Sequence, residues 1–146
     1  MKKLHFSITI NAPKQKIWET MLDPETYKEW VNISWPGSYY EGKWEHGGKL
    51  KFISPGKGGT LAKLVEHGPY DFSKAKHIAV ITPDGKEDTE SDVAKGWIGT
   101  TESYTFTEKN GMTELAVEIN TTPAWEEMFT SGWPKALQKL KEIAEK

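Results

Sequence analysis

The sequence predicts an α+β fold, an antiparallel β-sheet with its helices kept apart from the strands and one long helix covering a sheet face. Three observations predict it. From about residue 38 to residue 120 the apolar residues recur with period two. Helical periodicity is confined to the stretches around Ile17–Trp30 and Trp125–Ile143. The strand segments follow one another through turns bearing Gly, Pro and Asn, the usual connection between antiparallel neighbours.

The elements follow in order. Leu4, Phe6, Ile8 and Ile10 alternate with His5, Ser7 and Thr9, so the first element is a strand with one buried face rather than the continuous apolar core of a signal peptide. Asn11 is placed to cap a helix whose first turn tolerates Pro13, with Ile17, Trp18, Met21 and Leu22 at helical spacing. Asp23-Pro24 is a second cap followed by an N1 proline and opens a short helix carrying Tyr27 and Trp30. Beyond residue 38, Tyr40 and Trp44 face one way and Glu41, Lys43 and Glu45 the other. A turn at His46-Gly47-Gly48 then leads to a strand with Leu50 and Phe52, and simple pairing through it sets Trp44 opposite Leu50.

Strands are expected at Thr60–His67 and Lys76–Thr82. The strongest hairpin signal is Asn110-Gly111, a type I′ pair between strands Gly96–Thr107 and Met112–Asn120, whose register matches Phe106 with Leu115, Tyr104 with Val117 and Glu102 with Ile119. The final helix has Thr122 as cap, Pro123 at N1, and Glu126 and Glu127 near its positive end. Trp125, Phe129, Gly132, Trp133, Ala136, Leu140 and Ile143 form its apolar stripe, which Pro134 is expected to kink or restart.

Composition narrows the function. The 146 residues suit a single domain, 1–146, with no repeat or linker. Net charge is −2, which gives no broad field for nucleic acid or an anionic membrane. Cysteine is absent, so disulfides, thiolate nucleophiles and cysteine zinc sites are excluded. The longest aliphatic run, Ile78–Ile81, is far short of the ~20 residues of a membrane helix, and a soluble, cytoplasmic protein is expected. Aromatic residues make up 12% of the chain, seven of them Trp, beside a mean hydropathy of −0.65.

Several phrases of this order carry a family resemblance. The stretch Ile10-Asn11-Ala12-Pro13 through Ile17-Trp18-Glu19, then Leu22-Asp23-Pro24 and Trp30, resembles the opening of the START-like, or SRPBCC, superfamily. Gly132-Trp133 followed by Leu137 and Leu140 resembles the closing helix of its branch of homologues of a heat-shock-protein ATPase activator. The resemblance implies the helix-grip fold: a curved antiparallel sheet of about seven strands wrapped around a long C-terminal helix, with two short helices after the first strand and a cavity between sheet and helix. The superfamily hosts lipid carriers, polyketide cyclases, hydrolases and chaperone co-factors, so fold does not choose among them. The chaperone activators carry an additional N-terminal domain that these residues lack, so their role does not transfer with the fold.

The residues fit a site lined by rings. Tyr40, Trp44, Phe52 and Tyr104 share strand faces with aliphatics, and Trp97 lies on the strand expected at Gly96–Thr107. Trp125, Phe129 and Trp133 line the helix face. Such a cavity suits a flat or apolar molecule, oriented by indole N–H and phenol O–H groups. Glu102 is the one acid on an apolar strand face, beside Ile98, Tyr104 and Phe106, and is the sole candidate for acid–base work. His5, His46, His67 and His77 are scattered without metal-ligand spacing, no Gly-x-Ser-x-Gly elbow occurs, and no cofactor signature is present. Ser54–Gly59 lacks Walker spacing and reads as a hairpin loop; Asp84, Glu87, Asp88, Glu90 and Asp92 read as a solvated acidic loop. The leading expectation is a module that binds a small apolar or aromatic ligand without covalent chemistry. A cyclase- or dehydratase-type enzyme using Glu102, and a protein-interaction module like the chaperone activators, are the alternatives.

Overall fold

The computed structural model describes residues 2–56 and 58–146. Its strands are β1 (Lys2–Ile10), β2 (Tyr39–Gly42), β3 (Lys49–Ser54), β4 (Gly58–Gly68), β5 (Phe72–Ile81), β6 (Glu87–Asp88), β7 (Thr101–Lys109) and β8 (Met112–Thr121). Its helices are α1 (Lys14–Leu22), α2 (Pro24–Val31), α3 (Asp92–Trp97) and α4 (Pro123–Ala144). The strands form one antiparallel sheet in the order β1-β8-β7-β5-β4-β3-β2, with the two-residue β6 paired to β5. The α+β helix-grip architecture therefore stands, with α1 and α2 after the first strand and the long α4 packed against the sheet.

The last hairpin forms in the expected register: Phe106 opposes Leu115, Tyr104 opposes Val117, and Glu102 opposes Ile119. Asn110 and Gly111 both take positive φ, 56° and 78°, as a type I′ turn requires. Asp23 also caps as expected, its Oδ1 accepting from the Glu25 N–H at 2.9 Å, with Pro24 in the first turn of α2.

Three local expectations are corrected, and of the two outcomes expected at Pro134 one is excluded. Pro13, not Asn11, is the N-cap of α1, and Asn11 instead donates its N–H to Glu145 Oε2 at 2.7 Å. Gly42, not Trp44, opposes Leu50: the ladder ends at Gly42 and Trp44 folds back on Tyr40 and Phe52, at 5.9 and 6.1 Å between ring centroids. Residues 96–100 are not strand. Ser91 Oγ accepts from the Ala94 N–H at 3.1 Å and starts α3, which breaks up the expected acidic loop and delays β7 to Thr101. Ile98 is thus no neighbour of Glu102 on a strand face; it is 38% exposed. Finally, α4 runs through Pro134 without a restart.

The core lies between α1, α4 and the β1–β8–β7 side of the sheet. Ile10, Ile17, Met21, Leu115, Val117, Ile119, Leu137 and Leu140 are all buried there. Leu50, Ala62, Leu64 and Ala75 continue the inner face toward the β2 side. Ring-on-backbone contact fixes where α4 crosses α2. A Cβ on Gly132 would come within 2.6 Å of the Trp35 ring, so only glycine allows this approach, and Ser34 Oγ donates to the Gly132 carbonyl at 2.7 Å. No helix among the described residues is long and apolar enough to cross a membrane.

Candidate functional site

Beyond Gly132 the N-terminal half of α4 draws away from the solid core, and the gap is walled by large rings. Trp133 is buried and packs within 5.6–6.2 Å of Trp30, Trp35 and Tyr104. Trp30 is held by its Nε1–H donating to the Met21 carbonyl at 3.1 Å. On the far side α3 delivers Trp97, whose ring meets Phe129 at 5.9 Å and His77 at 5.4 Å. Between them lies a recess of about 190 Å³, floored by Glu102, Tyr104, His77 and Ile119 and walled by Tyr27, Phe52, Trp35 and Phe129. The volume exceeds the roughly 150 Å³ of an apolar cavity that takes benzene.

An outer cleft of about 730 Å³ shares Trp35, Ser54, Thr60, Trp97 and Met128 with the recess. Its remaining rim includes Ile33, Val93 and Trp125, all exposed, together with Asp88 and Lys135.

The polar groups come from the sheet. Glu102 opposes Ala75 on β5 and Ile119 on β8, so small and aliphatic neighbours surround it and its remaining surface faces the recess. Desolvation raises its carboxyl to about pKa 7, partly offset by the neighbouring Tyr104 hydroxyl. Burial likewise raises the phenols of Tyr27 and Tyr104, with the nearby Glu102 charge adding to it. His77 continues the inward alternation of Ser73 and Ala75 along β5 and is buried; a bulge follows it, with Ala62 paired to His77 and Leu61 to Ala79, leaving Ile78 as the extra residue. Its ring is pushed down to about pKa 4 by desolvation, and its Nδ1 has no hydrogen-bond partner. Trp133 Nε1 is likewise buried and unpaired.

Of the residues singled out in the sequence, Phe52, Trp97, Glu102, Tyr104, Phe129 and Trp133 line the recess, and Trp125 lines the outer cleft. Tyr40 and Trp44 lie outside both linings and pack behind Phe52; the Tyr40 hydroxyl donates to the Leu22 carbonyl. Sequence reasoning passed over His77, Tyr27, Trp30 and Trp35. His77 alternates with Ala75 and Ala79, which was signal enough for a buried face, but the helix α3 that brings Trp97 against it was read as strand. Among the described residues no group of three His, Asp or Glu is placed to hold a metal ion.

The family model described as activator of Hsp90 ATPase homolog 1-like protein matches residues 11–145. The chain belongs to this family. No curated protein matches it significantly. The fold is shared with protein MLL2253 from Mesorhizobium loti, at TM-score 0.76 and 14% identity over 97% of this chain and 96% of that one. It is shared also with the Aha1 dimer from Colwellia psychrerythraea, at TM-score 0.72 and 20% identity over 99% and 97%. DynU16, a putative protein in the dynemicin biosynthetic locus, is similar at TM-score 0.72 and 14% identity, over 99% of this chain and 48% of its own. At these identities the likeness is one of fold.

Proposed function

We propose that this family member binds a small, flat, largely apolar molecule in the recess between α4 and the sheet. The observation that carries the reading is the combination at one place of aromatic walls with buried polar atoms that have no partner in the chain, Trp133 Nε1 and His77 Nδ1. Buried polar groups are nearly always paired, and an exception in a recess is a place for a ligand atom or water. Intrinsic tryptophan fluorescence and thermal shift against aromatic and acyl compounds test it. Saturable quenching with a concentration-dependent rise in melting temperature is expected. No response to any compound would sink the reading and leave a protein partner as the better account.

A second reading is favoured by one observation, the Glu102 carboxyl held close to neutrality by its surroundings. A group poised there can take or give a proton at physiological pH, as a cyclase- or dehydratase-type reaction needs. Turnover of a bound compound that Glu102→Gln abolishes while binding survives would support it; equal turnover by the variant would remove it.

A further inference from the structure

We infer, building on the ligand-binding reading, that the recess selects a cation: a single aromatic ring with a short protonated amine arm, whose ammonium pairs with Glu102 and packs against indole faces. Five features point the same way. Glu102 is the only charged side chain among the described lining residues of the recess, and no lysine faces it there. The chain contains no arginine at all, so the bidentate clamp that holds carboxylate and phosphate ligands is unavailable anywhere in it. A carboxylate buried without a counter-charge costs free energy that an incoming cation recovers and an anion worsens.

The walls favour the same charge. Trp30, Trp35, Trp97 and Trp133 all line the recess, and indole is the best of the aromatic faces for a cation. The second acceptor is His77. The β5–β7 ladder sets Ala75 opposite Glu102 and bonds the His77 N–H to the Thr100 carbonyl at 2.9 Å, so His77 lies diagonally from Glu102. Across an antiparallel pair that separation is roughly 7–8 Å, within the span of one small ligand. The unpaired Nδ1 of a neutral imidazole can accept an ammonium N–H once the ring proton sits on Nε2.

The approach is also negative. The outer cleft carries Asp88, whose carboxyl is held below its usual range by hydrogen bonds from Ser91 and the Glu90 N–H. Asp88 belongs to a segment with Asp84, Glu87, Glu90 and Asp92 against only Lys86 and Lys95, with Lys135 on the opposite rim. Such a mouth raises the local concentration of cations.

Three probes of one shape test this on the intact chain: 2-phenylethylammonium, 2-phenylethanol and phenylacetate, followed by calorimetry and tryptophan fluorescence at pH 8. The ammonium is expected to bind about tenfold or more tighter than the alcohol, a plausible sum of ion pairing and cation–π contact, with phenylacetate weakest. Glu102→Gln should remove the ion-pairing share of that preference, leaving at most the part the indole faces supply, and leave the alcohol unchanged. The wild-type protein gives a check that needs no variant. Ammonium affinity should fall as pH drops below about 7, with protons released on binding in that range, while alcohol affinity stays flat. Of the other titratable groups lining the recess, Tyr27, Tyr104 and His77 from α2, β7 and β5 stay neutral through that range, Tyr39 comes from β2, and α4 contributes only Met128, Phe129 and Trp133. Alcohol or phenylacetate binding as tightly as the ammonium would overturn the cation inference and leave the ligand reading standing. A preference undiminished in Glu102→Gln, or one that ignores pH, would overturn the role of Glu102. Silence from all three probes would remove the ligand reading and this inference with it.

Discussion

The two halves of α4 meet the same sheet in opposite ways. From Ala136 to Ala144 the helix buries Leu137, Leu140 and Ala144 in one cluster with Ile10, Ile17 and Leu115. From Trp125 to Trp133 it presents rings to rings, and Trp125 and Met128 each stay 37% exposed. In the first half aliphatic chains interlock in the core cluster; in the second, rings meet edge to face around the recess. One half secures the fold, and the other holds the site. Gly132 and Pro134 mark the boundary, the first admitting Trp35 and the second withdrawing a backbone donor from the helix.

The largest effect should come from the solid half. Leu140→Ala removes a fully buried side chain and should cost about 2–5 kcal/mol in urea unfolding. A loss below about 1 kcal/mol would mean that this half is loosely packed after all.

Next in size is the pH behaviour of Glu102, half-buried in the recess, and of His77, buried beside it. The Glu102 carboxyl rises from 4.5 to about 7 on folding, so its contribution is complete below about pH 4.5 and is lost as pH climbs through 7. His77 falls from 6.5 to about 4, so its contribution is complete above pH 6.5 and is lost as pH falls toward 4. Between 4.5 and 6.5 the two slopes oppose each other. Glu102→Gln should therefore stabilise the protein at pH 8 by up to about 3 kcal/mol and leave a curve that rises from pH 4 to 6.5. A flat curve in that variant would show that His77 is not desolvated.

Gly132→Ala sharpens the boundary itself. Helix propensity alone would add about 1 kcal/mol, whereas displacing the Trp35 ring costs about 1–3 kcal/mol, so a net loss of order 1 kcal/mol is expected. A rise in melting temperature would show that the ring moves freely. The smallest effect belongs to the hollow half: Phe129→Ala, at a half-buried ring beside the recess, should change stability by less than about 1 kcal/mol while altering ligand affinity. A loss as large as that of Leu140→Ala would erase the distinction between the halves.

Much of this was legible in the chain. The Asn110-Gly111 pair and the alternation on each side dictated the β7–β8 register, because a one-residue slip would turn every core side chain outward. Asp23-Pro24 dictated the start of α2 for an equally local reason. The α3 segment was misread because Gly96, Ile98 and Thr100 extend the alternation of β7 backward, while the competing signal, Ser91 capping one short turn, was weaker in pattern than in space. The site divided likewise. Glu102 stood out because an acid on an apolar face is rare, whereas Tyr40 and Trp44, equally apolar in sequence, lie behind the recess rather than on it.

The sequence by itself determined the α+β class, the long apolar stripe of α4, the last hairpin and the odd placement of Glu102, since each rests on contacts between residues close in the chain or on a repeat with a fixed period. Only the tertiary structure decided which rings face a recess, that Trp35 settles over Gly132, and that His77 and Glu102 share one wall. Those outcomes depend on how strands and helices distant in the chain, β5, β7, α3 and α4, come together around one space. Packing of that kind is a property of all the neighbours at once, and no spacing along the chain records it.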